Sequence, residues 1–314
     1  MGGVCLSMST TVLPERTRAE RARPRNWGKV ALPYLLLLPV VALTAGFLVY
    51  PLADQIYLSM THWQLLTSPD ARFVGPSAYA TLLGDAEFWS SMWRTCYWTA
   101  GTILVEFAIG FPLALALNYR TRLTGLYTGL ILLPWITPTV VVSYAWTWVL
   151  DSTFGLLQAA LHWARLSGDT TPLASASAAL PAVTIVSGWK GAPFMTIMLL
   201  ATLKGISAEL YEAAEMDGAG FLRRHRHITL PGIRKTALVA GLLLGIQAFY
   251  SFDFAWLMTK GGPGDATLLA AIYLFKQFQY SFNWGYAAQI GMAMFAILAV
   301  AVVVYFRVAD PTRE

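Results

Sequence analysis

The chain has 314 residues, of which 56% are hydrophobic and only 12% are charged. This charged share is about half of what soluble domains carry, so the composition excludes an ordinary soluble domain and favours an integral α-helical membrane protein. Strictly alternating segments of ~10 residues, which a membrane-spanning β-barrel requires, are absent from the sequence. The two cysteines, Cys5 and Cys96, fit no metal-binding spacing.

The N-terminal segment, residues 1–29, is polar and basic, and we expect it to be a disordered cytoplasmic tail. The sequence then predicts an all-α membrane domain over residues 30–308, followed by a C-terminal tail over 309–314. About six hydrophobic spans make up the domain, each near the ~20 residues that a bilayer requires. These spans cover residues 30–52, 93–118, 124–148, 181–203, 236–257 and 286–307.

The segments between the spans differ in character. Residues 53–92 contain aromatic side chains typical of a membrane interface and predict an ordered external loop. Residues 149–180 are small and polar, with a single basic residue, Arg165. Residues 258–285 begin with a glycine-rich stretch and continue with many aromatics, which predicts a turn followed by an interfacial helix.

The distribution of basic residues predicts the orientation in the membrane. Of the 22 Lys and Arg residues, sixteen lie in the N-terminal tail, the loops at 119–123 and 204–235, or the C-terminal end. Cytoplasmic loops carry the excess of Lys and Arg, so both termini and the 204–235 loop are expected in the cytoplasm. The formal charge of +5 is therefore explained by topology and does not indicate nucleic-acid binding.

Residues 206–231 are strongly charged and lie between two hydrophobic spans. They must sit at or beyond the bilayer surface, because their charges cannot be satisfied in hydrocarbon. Residues 212–214 suit a short helix, Asp217 and Gly218 suit a turn, and a second helix is expected to run to His227, with Asp217 as its cap. A loop that only fixes the topology is the alternative interpretation.

The spacing of E-A-A, D-G-A and I-x-L-P in residues 212–231 resembles the EAA motif of permease subunits of binding-protein-dependent ABC importers. Nine residues occupy motif positions: Glu212, Ala213, Ala214, Asp217, Gly218, Ala219, Ile228, Leu230 and Pro231. Residues 209–211 and 259–264 are similar to stretches of sugar-transporting members. The chain departs from the family pattern at His225, where an aromatic residue is common, and at Lys235, where proline is frequent.

The resemblance implies the fold of an ABC type I importer permease, with a coupling helix between helices 4 and 5 that docks on an ATPase through the nine motif residues. It implies a non-catalytic subunit that forms half of the pathway for a sugar delivered by an external solute-binding protein. The expected partners are a similar but distinct second permease subunit and two ATPase subunits. The expected location is the bacterial inner membrane, with several passes.

ATP binding by this chain is not expected. No G-x-x-x-x-G-K-[ST] motif occurs, and Gly28-Lys29 is followed by Val30. Without the glycine-rich loop that cradles phosphates, the chain needs a separate ATPase. We therefore expect no cofactor on this chain, and ATP with Mg on the partner.

Polar and ionisable side chains inside membrane spans are candidates for a substrate pathway. Residues Gln247, Tyr250, Ser251 and Phe254 recur at helical spacing and predict one polar and aromatic face. The candidate pathway residues are Trp189, Lys190, Gln247, Tyr250, Ser251, Asp253 and Phe254. A structural role is the alternative, in which Lys190 pairs with Glu106 or Asp253 and Gln247 bridges helices.

Three other functions compete with a sugar importer. An ABC importer for a non-sugar polar solute, such as glycerol phosphate, would carry the same motif. An ion-coupled secondary transporter would account for Glu106, Lys190 and Asp253 but leaves the 212–231 loop unexplained. A membrane enzyme acting on lipid-linked sugars would require carboxylates or histidines clustered at one face of the membrane, and the sequence shows no such cluster.

Overall fold

The computed structural model describes residues 2, 27–119, 123–164 and 172–309. Several sequence predictions fall outside these residues: most of the tail at 1–29, Arg120 and Arg122, Arg165, and the C-terminal residues from 310. The chain divides into two compact units, Met1–Leu52 and Ala53–Glu314.

The first unit contains helix α1 (Trp27–Thr44), a π-helical turn (Ala45–Val49) and the first residues of α2 (Tyr50–Ser59). The π turn ends two residues before Pro51, which lacks the N–H that an α-helix requires and whose ring clashes with the carbonyl four residues earlier. Widening the helix at this point relieves the clash without breaking the helix.

The second unit contains the remainder of α2, a short antiparallel hairpin and twelve further helices among the described residues. In the hairpin, β1 (Thr61–His62) pairs with β2 (Arg72–Phe73). The helices are α3 (Tyr79–Leu83), α4 (Ala86–Asn118), α5 (Thr124–Ile136), α6 (Thr139–Val149), α7 (Leu156–Trp163), α8 (Ala179–Leu203), α9 (Ala208–Met216), α10 (Phe221–Arg224), α11 (Leu230–Phe249), α12 (Asp253–Thr259), α13 (Ala270–Gln279) and α14 (Trp284–Ala309).

Five helical segments within the described residues are long and apolar enough to cross a membrane, and a bent pair makes a sixth. The five are Leu36–Ser59, Ala86–Asn118, Ala179–Leu203, Phe221–Phe249 and Trp284–Arg307. The predicted number of spans and the all-α class are therefore confirmed.

The third predicted span, 124–148, is not one straight helix. Helices α5 and α6 meet at an angle of 91°. Thr137 is extended (ψ 134°) because a residue that precedes proline avoids the helical region, and Pro138 has no N–H with which to continue α5. Two sequence-adjacent residues therefore redirect the chain inside the membrane domain.

The fifth predicted span, 236–257, begins earlier than expected and is broken inside its C-terminal part. Helix α11 ends at Phe249, and α12 begins at Asp253. Phe249 and Phe254 are both buried in the same core. On a continuous helix, side chains five residues apart point about 140° away from each other, so burying both requires the break.

Helices α4 and α8 form the central pair of the second unit. Glycines bring their backbones close together: Gly101 faces Thr184, Gly110 faces Met195, and Gly188 faces Val105. Small residues at such contacts allow the close packing that holds helices together in membranes. Two buried cores lie along the pair, one containing Trp98 and Val183 and the other containing Ala114 and Leu199.

The connecting segments are more ordered than loops usually are. Residues 53–92 contain the hairpin, a 3₁₀ turn (Gly75–Ala78) and α3, which agrees with the predicted ordered loop. The predicted turn at 259–264 includes positive φ angles at Lys260, Gly261 and Gly264, and α13 follows as the expected helix. Helix α7, within the polar segment 149–180, was not predicted from the sequence.

Asp85 joins three helices. It caps α4 by accepting the N–H of Glu87 at 2.9 Å. Its Oδ2 accepts the hydroxyl of Tyr273 on α13 at 2.6 Å and also the hydroxyl of Tyr286 on α14. Burial raises the pKa of Asp85, but these hydrogen bonds to its charged form outweigh burial and leave the pKa below its ordinary value.

Candidate functional site

The motif loop begins with α9, which is a surface helix. The hydroxyl of Ser207 caps it by accepting the N–H of Glu209 at 3.3 Å, and Glu209 supplies negative charge in the first turn. Both features satisfy or complement the free N–H groups at the start of a helix. Glu212 and Ala213 are exposed on this helix, whereas Ala214 is half-buried.

The turn after α9 depends on Gly218, whose φ is +73°. Its N–H bonds the carbonyl of Glu215 at 3.0 Å, and the N–H of Ala219 bonds the carbonyl of Ala214 at 2.9 Å. Such a closure of a helix end favours glycine, because other side chains are strained at positive φ. Asp217 ends α9 here and does not cap the second helix, whose cap position is Gly220; that expectation was wrong.

The second helix of the loop does not stop near His227. Helix α10 passes through a π-helical turn (His225–Thr229) directly into α11, so that one helical segment enters the membrane domain. Pro231 explains the π turn in the same way as Pro51 does in the first unit. Within this segment, the motif residue Ile228 is half-buried, and Leu230 and Pro231 are exposed.

Side-chain contacts join α9 to the second helical segment of the loop, which begins with α10. Arg224 pairs with Glu215 at 3.0 Å, and the Tyr211 and Thr229 hydroxyls share a hydrogen bond at 3.0 Å. His225, at the position where the family commonly has an aromatic residue, still packs its ring on another ring, since its centroid lies 3.9 Å from that of Phe221. The departure at His225 therefore keeps an aromatic contact.

The outer surface of the loop carries large apolar side chains that no described residue covers. Met216 is 89% exposed, and Leu222 is 79% exposed. Met216 directly precedes the exposed Asp217 and lies one helical turn after the exposed Glu212. Apolar side chains next to charged ones on a surface are typical of a protein interaction site.

A cavity of about 290 Å³ lies between α4, α5, α6, α8, α11 and α12. Its wall contains hydroxyl, amide, carboxylate, amine and aromatic groups. The lining residues are Thr102, Glu106, Trp135, Thr139, Ser187, Lys190, Gly191, Leu244, Gln247, Ala248, Tyr250, Ser251, Phe252, Asp253 and Phe254.

Six of the seven candidate pathway residues line this cavity. Four of them (Gln247, Tyr250, Ser251 and Phe254) were predicted to share one helix face, but the break between α11 and α12 divides this set between two helices and the residues that connect them. Asp253 lies in the first turn of α12, where the helix dipole stabilises its negative charge. The seventh residue, Trp189, packs its ring edge-on against Trp146 at 5.3 Å.

Lys190 reaches the bend between α5 and α6. Its amine donates a hydrogen bond to the carbonyl of Trp135 at 3.3 Å. That carbonyl belongs to the last turn of α5, where carbonyls lack partners within the helix and the dipole favours a cation. Ion pairs within 4.0 Å in the described part of the chain are Arg224–Glu215 and Lys276–Asp265, so Lys190 does not form the suggested pair with Glu106 or Asp253.

Two residues on α4 also line the cavity: Thr102, which was not considered from the sequence, and Glu106, which was considered as an ionisable group inside a span but was not among the seven candidates. Thr102 is 2% exposed and Glu106 is 4% exposed, and neither Thr102 Oγ1 nor Glu106 Oε2 has a hydrogen-bond partner among the described residues. Their spacing of four residues places both on one face of α4. The sequence does not show that this face meets the α11–α12 break.

A comparison with solved structures supports the fold. A bacterial ABC transporter chain involved in the import of the acidic polysaccharide alginate superposes with a TM-score of 0.78, covering 93% of this chain and 100% of that one at 22% identity. Residues 106–312 match the family described as the binding-protein-dependent transport system inner membrane component. The chain belongs to this family. It is therefore a multi-pass inner membrane component of a transport system.

Curated relatives of this inner membrane component match over nearly their full length. The trehalose/maltose transport system permease protein MalF of Thermococcus litoralis is 31% identical over 292 residues, which cover 92% of this chain and 97% of that protein. The sulfoquinovosyl glycerol transport system permease protein SmoG of Agrobacterium fabrum is 32% identical over 304 residues, which cover 94% and 98%.

Proposed function

We propose that the chain is the transmembrane subunit of an ATP-driven importer and forms half of the translocation pathway for a mono-, di- or oligosaccharide. An external solute-binding protein delivers the sugar, and the bound sugar passes the cavity between α4, α8 and the α11–α12 break. The names of the similar permeases, which include trehalose, maltose and sulfoquinovosyl glycerol systems, support the substrate class.

The observation that carries the proposal is the exposed surface of the motif loop. A short helix on a rigid turn, with Met216 and Leu222 uncovered beside acidic residues, is suited to a cleft on another protein. Because α10 runs without a break into α11, a displacement of the loop moves a membrane-spanning helix as a rigid body. Closure of a partner ATPase can therefore move α11 and, with it, Gln247 at the cavity wall.

The assembly that follows from this role has several chains. A second permease, similar but distinct, supplies the other half of the pathway, and two ATPase subunits bind ATP and Mg. This chain contributes no catalytic group and binds no cofactor. It lies in the bacterial cytoplasmic membrane, with both termini and the motif loop in the cytoplasm.

Purification and reconstitution test the assembly. A tagged chain extracted from native membranes is expected to bring an ATPase and a second permease with it. The assembled complex in proteoliposomes should import radiolabelled trehalose or maltose only with ATP and the solute-binding protein. A purified chain that imports alone, or a complex that imports only non-sugar solutes, would contradict the proposal.

The orientation has its own test with single cysteines. In a chain whose Cys5 and Cys96 are replaced by serine, Ala213→Cys in α9 should react with a membrane-impermeant maleimide only after the cells are opened. Ser77→Cys, in the ordered loop at 53–92, should react in intact spheroplasts. Both positions are exposed in this chain. The labelling is done in cells that lack the partner ATPase, so that docking cannot cover Ala213→Cys and the difference reports the side of the membrane. The opposite pattern would reverse the topology.

A further inference from the structure

Thr102 and Glu106 are buried polar residues whose hydrogen-bonding capacity is not fully used by the described residues. Both side chains are almost completely buried, and in the part of the chain that the structure describes Thr102 Oγ1 and Glu106 Oε2 have no hydrogen-bond partner. A buried polar atom without a partner costs free energy, and a buried carboxylate costs more than a hydroxyl. Groups of this kind persist where a ligand or another function requires them.

Both side chains lie at the wall of the cavity. Thr102 and Glu106 lie one turn apart on α4 and both line the cavity wall. Across from them, Gly191 on α8 leaves room for the carboxyl group: a Cβ at this position would lie 2.8 Å from Glu106 Cδ and would overlap Oε1. The absence of a side chain at Gly191 therefore permits the carboxyl group to occupy its position.

The nearby cation does not neutralise Glu106. The amine of Lys190 is hydrogen-bonded to the carbonyl of Trp135, and no ion pair within 4.0 Å joins Lys190 to Glu106. An acceptor of this kind in a cavity is complementary to a hydroxyl donor on a solute, and the threonine hydroxyl can donate or accept. Unpaired buried groups are also the strongest means of rejecting a solute that lacks the matching hydroxyl.

We propose that Thr102 and Glu106 form a hydroxyl-binding subsite on α4 that selects the passing solute by one of its hydroxyl groups. The subsite takes a neutral polyhydroxylated solute, with Glu106 accepting a solute O–H and Thr102 bonding the same or an adjacent oxygen. This inference rests on the proposed function and adds the residues that determine specificity.

Monodeoxy sugars test the subsite. The complete reconstituted transporter is assayed for uptake of trehalose and of its 2-, 3-, 4- and 6-deoxy analogues. The wild type should import one analogue, the one without the recognised hydroxyl, at least ~10-fold less efficiently than trehalose. Thr102→Val and Glu106→Leu should lower trehalose uptake to about the level of that analogue, so that the preference nearly disappears. Glu106→Gln, which keeps one oxygen acceptor, should retain part of it.

The matched control is Thr196→Val on α8. Thr196 is as deeply buried as Thr102, but its hydroxyl already donates to the carbonyl of Ala192 at 2.8 Å. This variant should change the uptake of all five sugars by the same factor. The solute-binding protein is identical in every assay, so a change in the ratio between sugars arises in the membrane domain.

The outcomes separate the inference from the proposed function. If Thr102→Val and Glu106→Leu leave the preference among the five sugars as in the wild type, the subsite is wrong, although sugar import stands. The same conclusion follows if both variants lower the uptake of all five sugars by the same factor, which is the result expected for residues with a purely structural role. If the wild-type complex imports no sugar, the proposed function fails and the subsite fails with it.

Discussion

The motif loop and the cavity are built in opposite ways. From Ser207 to Thr229, the loop is held by contacts between residues close in sequence, such as the Gly218 N–H on the Glu215 carbonyl and the Arg224–Glu215 pair. The cavity brings together residues from 102 to 254, and its groups meet only because α4, α8 and α12 pack together.

The difference matters for how each region fails. A locally built element depends on the backbone conformation of a few residues, so one wrong residue in the turn disrupts it while the rest of the chain folds. A cavity assembled by packing depends on the fit between helices, so a single added methyl group at a close contact alters it. The following variants test this contrast.

The largest effect is expected for Gly218→Pro. Proline fixes φ near −65°, whereas Gly218 has φ +73°, and it removes the N–H that bonds Glu215. A cost of about 3 kcal/mol for the turn corresponds to a loss of coupled uptake of roughly a hundredfold. Uptake and ATPase stimulation in proteoliposomes measure it, with membrane insertion checked separately.

Gly220→Ala is the matched control for this variant. Gly220 has φ −65°, and a Cβ there would meet no described residue within 4 Å, so an alanine should keep uptake near the wild-type level. Normal coupled uptake by Gly218→Pro would show that the turn is not required for coupling.

A smaller effect is expected in the cavity for Gly191→Ala. The added Cβ meets the carboxyl group of Glu106, and overpacking of this kind costs ~1–3 kcal/mol, partly offset by the ~0.5–1 kcal/mol that alanine gains over glycine in a helix. Thermal unfolding of the isolated chain in detergent should show a net loss. Gly129→Ala on α5, where a Cβ meets no described residue within 4 Å, should be neutral or slightly stabilising.

A third variant tests a long-range contact outside both regions. Tyr273→Phe removes the hydroxyl that donates to Asp85 at 2.6 Å and should cost about 1 kcal/mol, because Asp85 keeps Tyr286 and its backbone donors. Tyr280→Phe, at a 62% exposed ring, should cost almost nothing. Equal melting temperatures for the two variants would show that the hydrogen bond from Tyr273 to Asp85 does not stabilise the packing of these helices.

The same contact predicts a dependence on pH. The folded pKa of Asp85 lies below its ordinary value, so its contribution to stability is present above the unfolded pKa of about 3.9 and is lost as pH falls through the lower folded pKa. The stability difference between the wild type and Asp85→Asn should be constant from pH 5 to 8 and shrink below about pH 4. A stability difference that grows as the pH falls would show that the pKa of Asp85 is raised in the folded protein and not lowered.

The smallest effect is expected for Arg224→Gln in the motif loop. The Glu215 side chain of this ion pair is 69% exposed, and surface pairs contribute ~0–1 kcal/mol. Uptake should fall by less than about twofold, as for Arg223→Gln, which removes the same charge from a neighbouring exposed side chain. A large loss confined to Arg224→Gln would show that the ion pair, and not Gly218, holds the loop.

The sequence predicted the local elements well and the broken ones poorly. The number of spans and the turn at Gly218 were predicted, because length, apolarity and glycine act over a few residues. The break between α11 and α12 was not predicted, since it follows from burying Phe249 and Phe254 in one core. The third span was predicted as one segment, 124–148, and its bend of 91° at Pro138 came only from the structure.

By itself, the sequence determined a membrane protein with about six spans and a motif loop between the fourth and fifth, because composition and residue spacing constrain the chain locally. Only the tertiary structure decided that Lys190 bonds the end of α5 instead of an acidic partner, and that Thr102 and Glu106 face the α11–α12 break with Glu106 unpaired. The reason is physical: these groups lie far apart in the sequence, and the packing of α4 against α8 through glycines sets the distances between them.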